Sequence, residues 1–161
     1  ASPCHTQRRG TTCGTPSYCS ARHRSLMFLL DTVILSELRK KRPNAGVVRW
    51  ISKQQDDQLH LSVVTLGEIE RGIEKRRKAD AEFADTLAAW LESLIRIYAD
   101  RILPVTPSVA RRWGCLSAQL GHEGADLLIA ATARTYGLTV VTRNVSDFEP
   151  TGVNVINPFS R

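Results

Sequence analysis

The chain lacks the features that mark several common protein classes. No apolar run approaches the roughly 18 to 20 residues of a membrane-spanning helix, and the amino terminus has no apolar segment of the kind found in signal peptides. Aromatic residues make up only 6% of the 161 residues, but hydrophobic residues make up 42%, which is enough for the core of one domain. We therefore predict a soluble, cytoplasmic protein.

Motifs for several kinds of chemistry are also missing. There is no glycine-rich phosphate loop, no nucleophile elbow and no cysteine pair at C-x-x-C spacing. Cys4, Cys13 and Cys19 with His5 or His23 form a conceivable metal knuckle, but without paired cysteines we favour another explanation of this segment.

Residues 1–26 differ in composition from the rest of the chain. They are rich in Ser, Thr, Arg, Gly and Pro, show no apolar periodicity, and carry four arginines without any acid. Four of the six net positive charges therefore belong to this segment, and the remainder is nearly balanced, so bulk charge argues only weakly for a polyanionic partner. We predict that 1–26 is a disordered or non-native extension, that Met27 is the native start, and that 27–161 is the domain.

From Leu26 onward, strand and helix patterns alternate. Short apolar runs predict strands, and apolar residues at helical spacing predict helices between them. The predicted strands are 26–30, 58–64, 101–105, 138–141 and an edge strand 153–156. The predicted helices end at Arg42, begin at Thr65, span 83–98, end at Gly121 and end at Gly137. This alternation predicts a three-layer α/β/α domain with a mostly parallel sheet of about five strands.

Three acids stand at informative places in this pattern. Asp31 directly follows the first strand, Glu68 lies in the predicted first turn of the helix after the second, and Asp126 is the only charge in an otherwise apolar helical stretch. Ligands of parallel sheets bind beyond the carboxyl ends of the strands. Carboxylates brought together there repel one another, and a hard dication with oxygen ligands, Mg²⁺ or alternatively Mn²⁺, removes that penalty.

Each acid also has a purely structural explanation. Asp31 is a favoured helix N-cap residue, and Thr65 with Glu68 fits a capping box. Asp126 near a helix start gains from the helix dipole. The same helical spacing predicts that Cys115 is an inert thiol in the core.

Four segments in order resemble one family. They are FLLDTVILSELR at 28–39, LSVVTLGEI at 61–69, ADLLIAATA at 125–133 and TRNVSDF at 142–148, followed by a closing Asn157-Pro158-Phe159. Together they resemble the PIN-domain ribonuclease toxins of the VapC and FitB group, over about residues 27–159.

The resemblance implies a Mg²⁺-dependent endoribonuclease that acts as the toxin of a type II toxin–antitoxin pair. By position, Asp31 and Asp126 would bind the metal directly and Glu68 would hold a metal-bound water or a second ion. Thr32, Thr142, Arg143 and Asn144 would support the pocket or contact substrate. The implied partners are RNA, a cognate antitoxin and a second copy of the chain, in a homodimer or a hetero-oligomer with the antitoxin.

The chain departs from the family pattern at two positions. Val33 stands where asparagine is common, and Asn144 stands where some members have a fourth acid. Asp147 is the alternative fourth catalytic acid, and it is equally well explained as a turn cap before Phe148. An alternative function therefore stays open, in which the protein is a catalytically weak or inert PIN-like module that binds RNA or antitoxin.

Two basic clusters are candidates for phosphate contacts. The first follows the first predicted helix and the second lies along the helix of Glu68; they comprise Lys40, Lys41 and Arg42, and Arg71, Lys75, Arg76, Arg77 and Lys78. Either cluster is also explained as a solvated helix end.

Overall fold

The structure is a computed structural model that describes residues 26–159. The cysteine knuckle and the amino-terminal extension predicted above lie outside the described residues, so the division of the chain at Met27 stays a prediction.

A five-stranded parallel sheet forms the centre of the domain. The strands are β1 (Phe28–Leu30), β2 (Leu59–Ser62), β3 (Ile102–Leu103), β4 (Thr139–Val141) and β5 (Val155–Ile156). Their order is β3-β2-β1-β4-β5, and every neighbouring pair is parallel. This confirms the predicted fold class and the edge position of the last strand.

Seven α-helices in the described part of the chain cover the two faces of the sheet. They are α1 (Thr32–Leu38), α2 (Ala45–Ile51), α3 (Val63–Arg77), α4 (Ala81–Ile97), α5 (Pro107–Leu120), α6 (Ala125–Tyr136) and α7 (Val145–Phe148). Helices α1 to α4 supply one hydrophobic cluster, and α5 to α7 supply most of the other. Phe28 and Leu30 belong to the first cluster and Leu29 to the second, as the alternation of side chains along a central strand requires.

Several predicted element boundaries are wrong, among them two that lie close to the site described below. Helix α1 ends at Leu38 and not at Arg42, because the Glu37 carboxylate accepts hydrogen bonds from the Asn44 N–H (2.9 Å) and from Lys40 Nζ (2.6 Å), which turns the chain toward α2. Strand β2 ends at Ser62 and not at Val64, since the Ser62 side chain accepts from the Val64 N–H and starts α3 there.

The predictions for the two later helices are confirmed, except for Cys115. Helices α5 and α6 end at Gly121 and Gly137, whose φ values of 75° and 71° lie in the left-handed region that favours glycine. Cys115, however, is exposed on α5 and is not a core thiol. Helical spacing alone gave no information on which side of α5 the sheet covers. Within residues 26–159, no helix is long and apolar enough to cross a membrane.

Alanine substitution at two glycines, one at a helix cap and one inside a helix, should change the free energy of unfolding in opposite directions. Gly137→Ala places a side chain in the left-handed conformation and is expected to lower the free energy of unfolding by about 1 kcal/mol. Gly114→Ala, in the middle of α5 with open space around the new methyl group, should raise it by up to about 1 kcal/mol. Urea denaturation of both variants measures the difference, and two changes of the same sign would contradict the assigned cap.

Candidate functional site

The centre of the candidate site is Asp31, where β1 leads into α1. Only 4% of Asp31 is exposed. One carboxylate oxygen, Oδ1, accepts from the Thr32 N–H at 2.7 Å, and the other, Oδ2, accepts from Thr142 Oγ1 at 2.6 Å. Because Thr142 follows β4, the neighbour of β1, the side chain of Asp31 is fixed by the two central strands.

The supporting hydroxyl of Thr142 is itself held in place. The backbone N–H of Asn144 donates to Thr142 Oγ1 at 3.0 Å, so the hydroxyl proton is directed to Asp31. Asn144 thus takes part in the site through its backbone. The predicted supporting residues Thr142 and Asn144 do lie at the site, and the capping role of Asp31 coexists with its place there.

Glu68 reaches the same place from α3. It is the sixth residue of that helix, in the second turn and not in the first, and its Oε2 accepts from Thr32 Oγ1 at 2.6 Å. The capping-box alternative is wrong, because Ser62 is the N-cap and Thr65 lies inside the helix. Thr65 Oγ1 is buried and has no hydrogen-bond partner among the described residues.

Asp126 is the second residue of α6, at the helix end nearest the site. Six of the later residues in this helix, Leu127 and 129–133, are buried, so Asp126 is the one carboxylate on a helix that lies mostly in the core. Asp126 itself is half-buried. Burial raises its pKa, and the nearby charges of Glu68 and Asp147 raise it further, whereas His122 lowers it.

Asp147 lies on the short helix α7 and completes the group of acids. It is exposed, and its charge contributes to the raised pKa of Asp126. Its carboxylate accepts from Ser146 Oγ at 3.4 Å and makes no side-chain cap of α7. The turn-cap alternative for Asp147 therefore finds no support in the hydrogen bonds of α7, and the acid on which the charge of Asp147 acts is Asp126.

The four acids form a site with excess negative charge. Burial raises the pKa of Asp31 to about 6, and the charges of Asp126 and Glu68 act in the same direction, although the hydrogen bonds from Thr142 and Thr32 oppose them. None of the ion pairs within residues 26–159 involves any of the four. A buried carboxylate with acidic neighbours and no cationic partner is the environment in which a bound cation gains most.

The donor atoms fit a hard dication. All four side chains offer carboxylate oxygens, and each oxygen of Asp31 accepts only one hydrogen bond, which leaves lone pairs free. Within residues 26–159, no group of three or more Asp, Glu, His or Cys side chains is arranged so that it could hold a metal ion. A metal at this site would therefore take at most two direct protein ligands, and Mg²⁺ can bind in this way because it keeps several of its waters.

Arg143 stands beside this acidic site and rests on the closing segment of the domain. Its guanidinium lies 5.3 Å from the ring centroid of Phe159, and its charge helps to lower the pKa of Glu37 after the hydrogen bonds from Lys40 and Asn44. Pro158 packs so closely on Gly46 that a Cβ there would clash with the Pro158 carbonyl oxygen. The contacts of Phe159 with Arg143 and of Pro158 with Gly46 were not predicted from the sequence, because each joins segments that are distant from or unrelated to one another in the local pattern.

A groove leads away from the acids between α1, α3 and α4. It has a volume of about 230 Å³, begins at Thr32 and Glu68, and continues past two arginines and two aromatic rings. Arg39 lies 5.5 Å from the Phe83 centroid and 5.7 Å from the Trp90 centroid, and Arg76 lies 5.6 Å from Phe83. Arg76 belongs to a predicted basic cluster, but Arg39 was not singled out. Its role as a groove residue depends on the packing of α1 on α4.

The fold and the site define a parallel α/β domain with a pocket of carboxylates at the carboxyl ends of its central strands. The PIN domain family pattern matches residues 28–150, and the chain belongs to this family. It is 36% identical over 143 residues to the VapC ribonuclease Y4jK of Sinorhizobium fredii, covering 83% of this chain and 98% of that protein.

Two further similarities involve Neisseria gonorrhoeae. Toxin FitB from this organism is 33% identical over 139 residues, covering 83% of this chain and 99% of that protein. The crystal structure of FitAcB superposes with a TM-score of 0.74 at 33% identity, covering 84% of this chain and 100% of that chain. The resemblance to the PIN family seen in the sequence is thereby confirmed.

Because the pKa of Asp31 is raised, replacing Asp31 by a neutral residue should increase the free energy of unfolding, and the size of this increase should depend on pH. The folded protein holds the proton more tightly than the unfolded chain, so stability falls as the pH rises from about 4 through 6. In the presence of a chelator at pH 8, Asp31→Asn should therefore raise the free energy of unfolding by about 1 to 3 kcal/mol. The gain should vanish near pH 4, where the wild-type carboxyl is neutral.

Denaturant titrations across this pH range measure the effect of Asp31→Asn. The matched control is Asp100→Asn, an exposed aspartate in a 3₁₀ turn, for which we expect little change at either pH. A loss of stability at pH 8, or a gain that is the same at pH 4, would be incompatible with a strained, ionised Asp31.

The hydrogen bond from Thr142 predicts a change in the titration of Asp31. Thr142→Val removes a bond that lowers the pKa of Asp31, so this pKa should rise above its value of about 6. The control Thr32→Val removes the hydroxyl that binds Glu68 but retains the backbone N–H that donates to Asp31. Carboxyl ¹³C NMR titration of the two variants gives the comparison, and a larger rise in Thr32→Val would argue against the assigned roles.

Proposed function

We propose that the protein is a Mg²⁺-dependent endoribonuclease that hydrolyses RNA phosphodiester bonds as the toxin of a type II toxin–antitoxin pair. The observation that carries the proposal is the convergence of Asp31, Glu68, Asp126 and Asp147 without a cationic partner among the described residues. Membership of the PIN family and similarity to a protein named a ribonuclease and to one named a toxin support it.

The proposed metal ligands are Asp31 and Asp126. Asp31 is the more rigid of the two, because hydrogen bonds fix both of its oxygens. Glu68, held by Thr32, would bind a water of the metal, and Asp147 would act from the exposed side. A bound Mg²⁺ supplies an activated water and stabilises the charge that develops on the phosphoryl oxygens. Thr142 keeps Asp31 oriented and favours its ionised form.

RNA would approach this acidic pocket through flanking cations. Arg143, stacked on Phe159 and next in sequence to Thr142, is one proposed phosphate contact, while Arg39 and Arg76 line the groove that begins at Glu68. The two basic clusters predicted from the sequence are less available for phosphate contacts, because Lys40 pairs with Glu37 and Arg77 pairs with Glu74 and Asp85. Phosphate contacts of this kind position the strand without reading its sequence.

The proposed protein partners are a cognate antitoxin and a second copy of this chain. The groove between α1, α3 and α4 has aromatic walls and an acidic end, which suits an antitoxin segment that carries apolar residues and ends in an arginine. Such an arginine would neutralise the acids and exclude the metal. The homodimer, or a hetero-oligomer with the antitoxin, rests on the family resemblance. We place the activity in the cytoplasm, where RNA is available.

The alternative is an inert PIN-like module, suggested by Val33 and Asn144. Val33 packs half-buried against the hydrophobic cluster of α1 to α4, and the Asn144 N–H retains its bond to Thr142. Since both departures leave the hydrogen bonds of Asp31 in place, we favour the active enzyme.

A cleavage assay on structured RNA tests the proposed function. Wild-type protein should cleave RNA with Mg²⁺ and stop cleaving in the presence of a chelator. Asp126→Asn should slow cleavage about 100-fold or more, equivalent to roughly 3 kcal/mol of lost transition-state stabilisation.

The matched control for this assay is Glu123→Gln, which removes one exposed charge three residues before Asp126. It should cleave at the wild-type rate. Equal cleavage by the wild type and Asp126→Asn would show that the acids are not catalytic, and no cleavage by any of the proteins would favour the inert module.

A further inference from the structure

A second cavity, lined by none of the four acids, lies between α5 and α6. Its volume is about 460 Å³, and its polar lining comes from about three turns of α5 and from Arg134 near the end of α6. Three of the lining residues are arginines, Arg111, Arg112 and Arg134; the others include Ser108, Cys115 and Gln119. No acidic residue lines it. Its chemistry is thus the opposite of that of the candidate active site.

The positive charge of this cavity is uncompensated. All three arginines are exposed, and none takes part in an ion pair within residues 26–159. By contrast, Lys40 and Arg77 of the basic clusters seen in the sequence have carboxylate partners. Unpaired guanidinium groups gathered around one concavity attract anions, and their fork of N–H donors matches phosphate oxygens.

Two of the three guanidinium groups are held in position by the protein. Arg112 Nε donates to Thr135 Oγ1 at 3.2 Å, and an Nη atom of Arg134 donates to the Thr151 carbonyl oxygen at 2.7 Å. Each guanidinium has five N–H donors, so most of them stay free for a ligand. A site whose cations are already ordered loses less side-chain entropy when an anion binds.

The cavity is connected to the acidic site by one rigid element. Asp126 is the second residue of α6 and Arg134 lies eight residues later on the same helix, which corresponds to about 12 Å along the axis. A polyanion longer than the reacting phosphodiester can therefore contact both places at once.

We propose that the cavity formed by Arg111, Arg112 and Arg134 binds backbone phosphates of the RNA substrate away from the cleaved bond. This inference rests on the proposed ribonuclease function and extends it with a second anchoring site on the α5–α6 face. The group that the cavity binds is a phosphodiester, and the proposed ligand that carries it is RNA.

Salt-dependent binding of a labelled single-stranded RNA tests the second site. The measurement uses the Asp126→Asn protein with a chelator present, so that the RNA stays intact, and compares it with the same protein carrying Arg111→Gln, Arg112→Gln and Arg134→Gln. Loss of three phosphate contacts should reduce the steepness of log Kd against log salt by about 2 and weaken binding about tenfold or more at low salt.

The matched control carries Arg49→Gln, Lys53→Gln and Arg96→Gln, which remove equal charge from exposed positions on α2, its end and α4. These helices cover the opposite face of the sheet. The control should retain most of the salt dependence. Equal losses of RNA binding and of salt dependence in the two triple variants would show that only net charge matters, and would contradict the proposed site. Arg111→Gln alone, which removes no protein hydrogen bond among the described residues, should reduce the slope by about 0.7 if the triple variant proves unstable.

Two further arms separate this inference from the proposed function. In the otherwise wild-type protein, the cavity variant should raise KM for long RNA and leave kcat unchanged. If none of the proteins cleaves RNA, the ribonuclease proposal fails. The binding measurement still tests the cavity, because it does not depend on cleavage. A loss of binding seen with single-stranded DNA of the same sequence but not with RNA would contradict the proposed ligand.

Discussion

The burial of carboxyl groups at the carboxyl ends of the central strands, together with their mutual repulsion, raises the pKa values of Asp31 and Asp126 and sets the electrostatics of the candidate site. Parallel pairing of β1 and β4 brings Asp31 beside Thr142, and the start of α6 brings Asp126 toward them. Burial raises the pKa of Asp31 to about 6, and its acidic neighbours add to the rise. The folded chain maintains this unfavourable arrangement because the apolar packing on both faces of β1 fixes the backbone on which Asp31 stands.

The hydrogen bonds around the acids have a specific consequence. Thr142 and the Thr32 N–H each bind one oxygen of Asp31, and the Thr32 hydroxyl binds Glu68. These bonds orient the carboxylates without neutralising them, so the negative charge stays available for a cation. No basic residue among those described pairs with the acids: Arg143 beside the site rests on Phe159, and the arginines of the α5–α6 cavity form no ion pair. An acidic centre with cationic surroundings is the charge distribution that a metal-assisted enzyme acting on a polyanion needs.

Much of the fold and part of the site were predictable from local sequence. Apolar runs gave the strands, glycines gave the ends of α5 and α6, and the isolated charge of Asp126 in an apolar helix indicated a site. The position of acids after parallel strands then placed Asp31, Glu68 and Asp126 together. These features depend on periodicity and on the geometry of parallel sheets, both of which are visible in a single sequence.

The features that escaped prediction depend on contacts between distant segments. The early end of α1 follows from the bond between Glu37 and the Asn44 N–H, and the start of α3 follows from the Ser62 cap within a run that reads as strand. The exposure of Cys115, the stacking of Arg143 on Phe159 and the gathering of three arginines beside α6 require knowledge of which faces meet.

The most direct test of the proposed metal site is a crystal structure with Mn²⁺ located by its anomalous scattering. We expect one ion within about 2.0 to 2.2 Å of carboxylate oxygens of both Asp31 and Asp126. An ion bound elsewhere, or none at these two residues at a Mn²⁺ concentration that supports cleavage, would contradict the central claim.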